Sequence, residues 1–321
     1  LLPFTFSPDG SRFAYGTSKG KIAMFNALNG EAMETPEHDL NSVQVIAFSE
    51  DGSQFAFGGS GACGSSIHHW TLPTATSSQI MRGHDGAISR LTFCDGDRRL
   101  ASHSLADGTI RIWDPRTGTE IDQLRESHVK FDRPDLVSFS PNNSRMATIE
   151  VLNGEVKIWK VSLGEDLDTL QGSQGGVRSL CFSPDGTRLA TGSGDHAVRI
   201  WDLSTGEHLC TLNGHEQQVS SVSFSQDGKQ LASASWDKRI IIWDSDTGEI
   251  VRYLEGHTGP VTSIDFSPNG KLLASTSSFD KSTRIWDTTN SQELYAFNNM
   301  VSSIEFSPDG TQFAAAHQLM Q

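Results

Sequence analysis

The sequence predicts an all-β fold built from short, repeated, four-stranded modules, and three observations predict it. A Phe-led turn ending in Gly recurs as FSPDG from Phe6, FSEDG from Phe48, FSPDG from Phe182, FSQDG from Phe224, FSPNG from Phe266 and FSPDG from Phe306, with Phe93 and Phe139 filling the gaps. The intervals between these anchors are 42, 45, 46, 43, 42, 42 and 40 residues, the period of a module with four strands. Segments such as VSSVSF (219–224), QLASAS (230–235) and RIIIWD (239–244) are short, β-branched and bounded by turn residues. No segment sustains the 3.6-residue amphipathic period that helical repeats of similar length require.

The sixth module illustrates the reading. Strand a covers 219–224, the turn Ser225-Gln226-Asp227-Gly228 reverses the chain, and strand b covers 230–235. Strand c covers 239–243, a second turn at 244–248 leads to strand d at 249–254, and Gly256-His257 opens the next module. In five modules the first turn has Pro at its second position (Pro8, Pro141, Pro184, Pro268, Pro308), where the fixed φ favours a type I turn. One four-stranded sheet cannot bury both faces, so the modules must stack as the blades of a β-propeller. The chain supplies eight a, eight b, seven c and seven d strands, thirty in all. Seven four-stranded blades with 302–321 as an added hairpin or partial eighth repeat is the favoured count, and eight blades with the last incomplete is the alternative. Either way residues 1–321 read as one propeller domain. Because the chain starts at Leu1 rather than Met and stops within a repeat, it is expected to be a segment or processed form of something longer.

Gly214-His215 followed by Ser233, Asp237 and Trp243-Asp244 resembles the WD40-repeat signature, and the similarity runs over essentially the whole chain. The resemblance implies a hydrogen-bonded set of His, Ser/Thr, Asp and Trp in each blade. The matching residues are His84, Ser102, Asp107 and Trp113; His215, Ser233, Asp237 and Trp243; and His257, Ser275, Asp280 and Trp286. Each Asp precedes its Trp by six residues. Such a chain of donors and acceptors leaves no buried polar group orphaned. Some repeats depart from the pattern. The fifth keeps Thr191, Asp195 and Trp201 but has Ser173 in the His position; the fourth keeps His128 and Trp159 but has Asn153 for Asp; the second has Trp70 without a matching acid. The first has Phe25-Asn26 for Trp-Asp and Lys19 for Asp, so repeats one and two are expected to be looser.

Composition excludes several classes of function. With 25 Lys and Arg against 39 Asp and Glu the net charge is −14, which repels phosphate backbones and anionic lipid, so neither nucleic acid nor membrane is an expected partner. No apolar run is long enough to cross a bilayer as a helix. Cys63, Cys94, Cys181 and Cys210 form no C-x-x-C pair, and an intracellular, cytoplasmic protein with reduced thiols and no metal or cofactor is expected. His215, Ser233 and Asp237 superficially make a hydrolytic triad. A set that recurs in other blades with a Trp partner reads as a structural network instead, and no catalytic residue is assigned. No nucleophile elbow, metalloprotease pair or Walker loop is present. His68-His69 beside Cys63 are adjacent on a strand and point to opposite faces, so they read as loop or surface histidines rather than metal ligands. GGSG at 58–61 falls in a strand b to c region, and GSQGG at 172–176 reads as a plain connection.

Binding is the remaining function. The d–a and b–c connections emerge on one rim, where the resemblance places partner contacts. The residue before each tetrad Asp lies there: Trp236 and Phe279, with Leu152 before Asn153. Two positions at the start of strand a carry over to Arg178, Gln218, Ser220, Pro260, Thr262, Arg133 and Asp135. Aromatic and Arg side chains are the types that dominate binding hot spots. The expected function is a non-enzymatic scaffold that binds a protein or peptide; the opposing reading of Trp236 is a ring packed flat on Lys238 that only stabilises the rim. Similarity to sensor propellers of signalling ATPases is an analogy of fold. A substrate-receptor or scaffold subunit of a complex such as a ubiquitin ligase is the competing class, and an enzyme with a site in the central channel is a distant third.

Overall fold

The computed structural model describes residues 3–17, 19–35, 37–61, 64–72, 79–94, 96–104, 106–125, 137–142, 144–149, 156–160, 165–170, 175–298, 301–310 and 312–317. Among these residues there is no helix; seven four-stranded antiparallel sheets are the blades of a β-propeller, each in the order a-b-c-d, and a two-stranded hairpin follows them. Blade one comprises Phe4–Phe6, Arg12–Gly16, Ile22–Asn26 and Ala32–Met33; blade two, Leu40–Phe48, Gln54–Gly61, Gly64–Thr71 and Gln79–Arg82; blade three, Ile88–Cys94, Arg99–Ser104, Thr109–Asp114 and Thr119–Arg125. Blade four comprises Val137–Phe139, Arg145–Ile149, Val156–Lys160 and Glu165–Leu170; blade five, Val177–Phe182, Arg188–Ser193, Val198–Asp202 and His208–Leu212. Blade six comprises Val219–Phe224, Gln230–Ser235, Ile240–Asp244 and Ile250–Leu254; blade seven, Ser263–Phe266, Leu272–Ser277, Ser282–Asp287 and Glu293–Phe297. Val301–Phe306 and Phe313–His317 form the extra hairpin, the strands left over once seven blades are complete.

The chain divides into two compact units, Leu1–Pro134 with Asn142–Arg145 and Lys160–Glu165, and the remainder. In the first, Ala14, Met24, Phe55, Phe57 and Trp70 join blades one and two, and Ala56, Ile67, Ile88, Leu91 and Trp113 join blades two and three. In the second, Ala190, Ile200, Val219, Phe224 and Trp243 join blades five and six, and Ala234, Ile242, Val261, Phe266 and Trp286 join blades six and seven. Both faces of strands b and c are therefore covered, which is why strand b is buried at five successive positions in Gln230–Ser235 where an alternating pattern would mark a one-sided sheet.

The recurring a–b turn owes its shape to its Ser as much as to Pro. In blade five the Ser183 hydroxyl donates to Asp185 (2.5 Å) and accepts the Arg188 amide (2.9 Å), while the Gly186 amide donates to the Ser183 carbonyl (2.8 Å). Gly186 sits at φ 69°, in the left-handed region that glycine reaches without strain. The same Ser bonds recur at Ser7, Ser49, Ser225, Ser267 and Ser307. The first side chain of strand b then reaches the turn of the next blade: Arg12 donates to the Gly52 carbonyl (3.0 Å), Gln54 to that of Asp97 (3.2 Å) and Arg188 to that of Gly228 (2.9 Å).

One carboxyl stands apart from this pattern. Asp265, on strand a of blade seven, is pushed up to about 6 by burial, although the Phe266 amide and the Ser223 hydroxyl (3.5 Å) oppose the shift. Its unfolded value, 3.8, is lower. The folded state therefore holds its proton more tightly, and the stability this contributes is complete below about pH 4 and lost as pH rises through about 6. Asp265→Asn is expected to melt a few degrees above the parent at about pH 8, with the gap closing near pH 4.5; a gap independent of pH, or a lower melting temperature at pH 8, contradicts this assignment.

Candidate functional site

Strand b offers one hydroxyl at the middle of each regular blade, and the neighbouring strand c brings an indole N–H to it. Trp113 donates to Ser102 (2.7 Å), Trp243 to Ser233 (2.8 Å) and Trp286 to Ser275 (2.8 Å). Each hydroxyl donates a hydrogen bond to an imidazole from the d–a loop: Ser102 to His84 Nε2 (2.7 Å), Ser233 to His215 (2.8 Å) and Ser275 to His257 (2.8 Å). Nδ1–H of each imidazole then donates to a carboxylate of the b–c loop, Asp107 (2.9 Å), Asp237 (2.9 Å) and Asp280 (2.8 Å), the tautomer the network requires. The Ser hydroxyls are fully enclosed, with Ser233 and Ser275 at 0% exposure, and both hydrogen-bonding roles are occupied. No substrate can reach them, so these sets do not form an accessible nucleophile.

Electrostatics follow from the same bonds. Burial raises the Asp237 and Asp280 carboxyls, but His215 and the Glu216 amide outweigh it at the first, and the Ser282 hydroxyl and His257 at the second, holding both at about 2. Burial likewise pushes His84 and His257 below the usual imidazole value against the pull of Asp107 and Asp280. Depressed carboxylates contribute stability that is complete above about pH 4 and lost as pH falls through about 2.

Two blades substitute other chemistry. In blade five Arg199 grips Asp195 through both guanidinium nitrogens (2.7 and 3.1 Å), and Trp201 still donates to Thr191 (3.1 Å). In blade two Trp70 is 1% exposed and its Nε1 has no partner among the described residues, while His68 Nε2 donates to Asp39 (3.1 Å), which also pairs with Arg82 (3.1 Å). The expectation that His68 and His69 lie on the surface is overturned: each is 2% exposed. They stand on strand c, whose two faces are both covered, so Phe57 stacks on His68 (5.1 Å) and Phe93 meets His69 edge-on (6.1 Å). Desolvation pushes His68 down to about 4. The glycines of 58–61 form the end of strand b, next to strand c and not before a helix; a Cβ on Gly59 would lie 1.9 Å from the Ser42 carbonyl. Blade one replaces the Trp–hydroxyl pair with Tyr15 stacked on Phe25 (5.9 Å, 6°). Trp159 of blade four donates to Thr148 (2.9 Å); His128, Asn153 and Ser173, like Cys63, lie outside the described residues.

The tetrads hold the d–a and b–c loops in place; Gln218, Trp236, Pro260, Thr262 and Phe279 sit on those loops, and Arg178 and Ser220 are the second residues of strands a that follow them. Ser235 donates to the Gln217 carbonyl (3.1 Å), the Trp236 amide to that of Gln218 (3.1 Å), and Ser220 to that of Val261 (2.5 Å). Trp236 and Phe279 are 37% and 59% exposed and meet edge to face at 5.7 Å, a geometry different from a ring laid on Lys238. Arg178, Gln218 and Pro260 are half-exposed, whereas Ser220 and Thr262 direct their hydroxyls to backbone carbonyls. Leu152, Arg133 and Asp135 lie outside the described residues. Among the described residues no group of His, Cys, Asp and Glu is arranged to hold a metal ion, and no helix is long and apolar enough to cross a membrane.

Repeated sheets closed by a Trp–hydroxyl–imidazole–carboxylate relay define a WD-repeat β-propeller. The family model described as "WD domain, G-beta repeat" matches residues 75–114, 164–202, 206–244 and 248–287, and the chain belongs to the WD40-repeat family. It is similar to human striatin-4 (32% identity over 127 residues, 36% of this chain and 16% of that protein) and to the mouse serine-threonine kinase receptor-associated protein (30% over 120 residues, 37% of this chain and 33% of that protein). It is also similar to a guanine nucleotide-binding protein subunit beta of Oryza sativa subsp. japonica (27% over 201 residues, 59% and 52%). The chain thus spans at most about half the length of these relatives.

Ser233→Ala removes the acceptor of Trp243 and the donor to His215 together. It is expected to lower unfolding free energy by about 3 kcal/mol in urea titrations, and a loss within experimental error contradicts the relay.

Proposed function

We propose that the chain is a non-enzymatic scaffold that binds a protein or peptide on the rim made by the d–a and b–c loops. The exposed Trp236–Phe279 pair carries this reading. Two large aromatic groups are held on adjacent blades by the bonded loops beneath them, and neither is needed to fill a core. Rigid aromatic groups lose little entropy on contact and dominate the centres of interfaces. Arg178, Gln218 and Pro260 would extend the contact along the same rim; Ser220 and Thr262 would contribute mainly by fixing the strands. Similarity to striatin-4 and to the receptor-associated protein supports a scaffold role, and the enclosed Ser hydroxyls disfavour hydrolysis at the tetrads.

Trp236→Ala with Phe279→Ala is the test. Affinity capture with the parent chain should retrieve a protein that the double variant fails to retain, while the melting temperature of the variant stays within a few degrees of the parent. Equal capture by both proteins overturns the assignment.

A further inference from the structure

On the opposite rim, that of the a–b and c–d turns, consecutive blades of the second unit meet at a slot whose content differs from one junction to the next. Between blades five and six the slot is filled: Arg188 lies over the Phe224 ring and donates to the carbonyls of Gly228 and Ser245 and to the Asp246 carboxylate (2.8 Å). Strand registers make Arg188 and Gln230 equivalent, because they oppose Asp202 and Asp244 at the same point of their sheets. Between blades six and seven, Gln230 stands where the guanidinium would be, and Thr288 and Thr289 stand where Ser245 and Asp246 do. The anchor is missing, and a cleft of about 540 Å³ remains, within the range of small-molecule sites.

The charge of the slot reverses as well. Residues at the filled junction are Arg188 and Lys229 against Asp185, Asp227 and Asp246, net one negative. At the open junction Asn269 replaces Asp227 and Arg252 replaces Cys210, leaving Lys229, Arg252 and Lys271 against Asp227 alone, net two positive. Asp227 is already engaged by the Ser225 hydroxyl (2.7 Å) and the Lys229 amide (3.1 Å). Among the described residues none of the three cationic side chains has a carboxylate within ion-pair distance. In a chain of net charge −14, three cations that line one cleft without a carboxylate partner among the described residues, beside the Asn269 side-chain amide, are the complement of a compact dianion.

We propose that this cleft binds the phosphate group of a small, soluble phosphate monoester, with Lys229, Arg252 and Lys271 as its cationic contacts and the side-chain amide N–H of Asn269 as a neutral donor; the Thr288 and Thr289 hydroxyls already donate to the Gly270 carbonyl and the Asp287 carboxylate. A phosphate monoester is a dianion near neutral pH, and guanidinium and ammonium groups form their strongest hydrogen bonds to such oxygens. The soluble form is favoured over a lipid headgroup because the net negative charge of the chain opposes approach to an anionic bilayer. This site is independent of the aromatic rim.

Calorimetric titration with inorganic phosphate at low ionic strength tests it. Saturable binding at one site is expected. Arg252→Gln and Lys271→Gln should each weaken it about tenfold, the loss of one charge-assisted contact, and Thr289→Asp, which restores the carboxylate of the filled slot, should weaken it comparably. Melting temperatures of these surface variants report that the fold is kept, and Trp236→Ala with Phe279→Ala should leave phosphate binding unchanged. Absence of saturable binding, or equal affinity in the parent and all three cleft variants, overturns the proposal. So does sedimentation with vesicles of phosphatidylcholine and phosphatidic acid when free phosphate is not bound.

Discussion

A buried indole N–H must find an acceptor, and that requirement organises the blades. Five tryptophans, Trp113, Trp159, Trp201, Trp243 and Trp286, meet a Ser or Thr hydroxyl of the adjacent strand b. Once the hydroxyl accepts, its proton needs a recipient, which is the imidazole; once the imidazole accepts at Nε2, its Nδ1–H needs a carboxylate. Each link follows from the last by the cost of leaving a polar atom unpaired away from water. The carboxylate in turn takes backbone amides of the d–a loop and of the start of strand c, as Asp280 does with Thr258, Gly259 and Ser282. Loop geometry is thereby set from inside the sheet, and the exposed groups on the loops arrive at the rim already ordered.

Where one link is lost, the chemistry of the next changes. Blade five lacks the imidazole in the usual place, and Arg199 supplies the counter-charge to Asp195 from strand c. Blade two lacks the carboxylate of the b–c loop, and His68, again from strand c, turns to Asp39 of the d–a loop. Trp70 is left with an Nε1 unpartnered among the described residues but is surrounded by Phe55, Phe57 and His38. Dispersion and apolar burial there stand in for the polar relay. The same reasoning joins the blades on the other rim, where Arg12, Gln54 and Arg188 reach across to turn carbonyls of the following blade, and where Gln230 leaves an opening.

Much of this architecture was legible because it repeats. Phe-led turns at a spacing near 43 residues define the modules, and the strand limits of blade six agree with the turn residues around them. Legibility failed where a residue acts outside its local pattern. His68 and His69 read as surface groups because alternation suggests that one of two neighbours faces water; blades covered on both faces break that rule. Asp39 and Arg199 carry no motif, since their partners are distant in sequence or belong to a different strand than the repeat prescribes. The Ser of each Phe–Ser turn was the overlooked regularity: its recurrence beside every Asp or Asn was visible, whereas its bond to the first amide of strand b depends on the folded turn. The edge-to-face contact of Trp236 and Phe279 likewise depends on the spacing of two blades.

Exchange of the seven indole N–H protons with deuterated water, followed residue by residue by NMR, addresses the relay directly. The account predicts slowest exchange for Trp113, Trp243 and Trp286, whose acceptors are backed by imidazole and carboxylate, and fastest for the exposed Trp236. Trp70, enclosed but unpartnered, should exchange ahead of those three. A Trp70 indole as protected as that of Trp243, or a Trp243 indole that exchanges within minutes while the amides of its own blade stay protected, would contradict it.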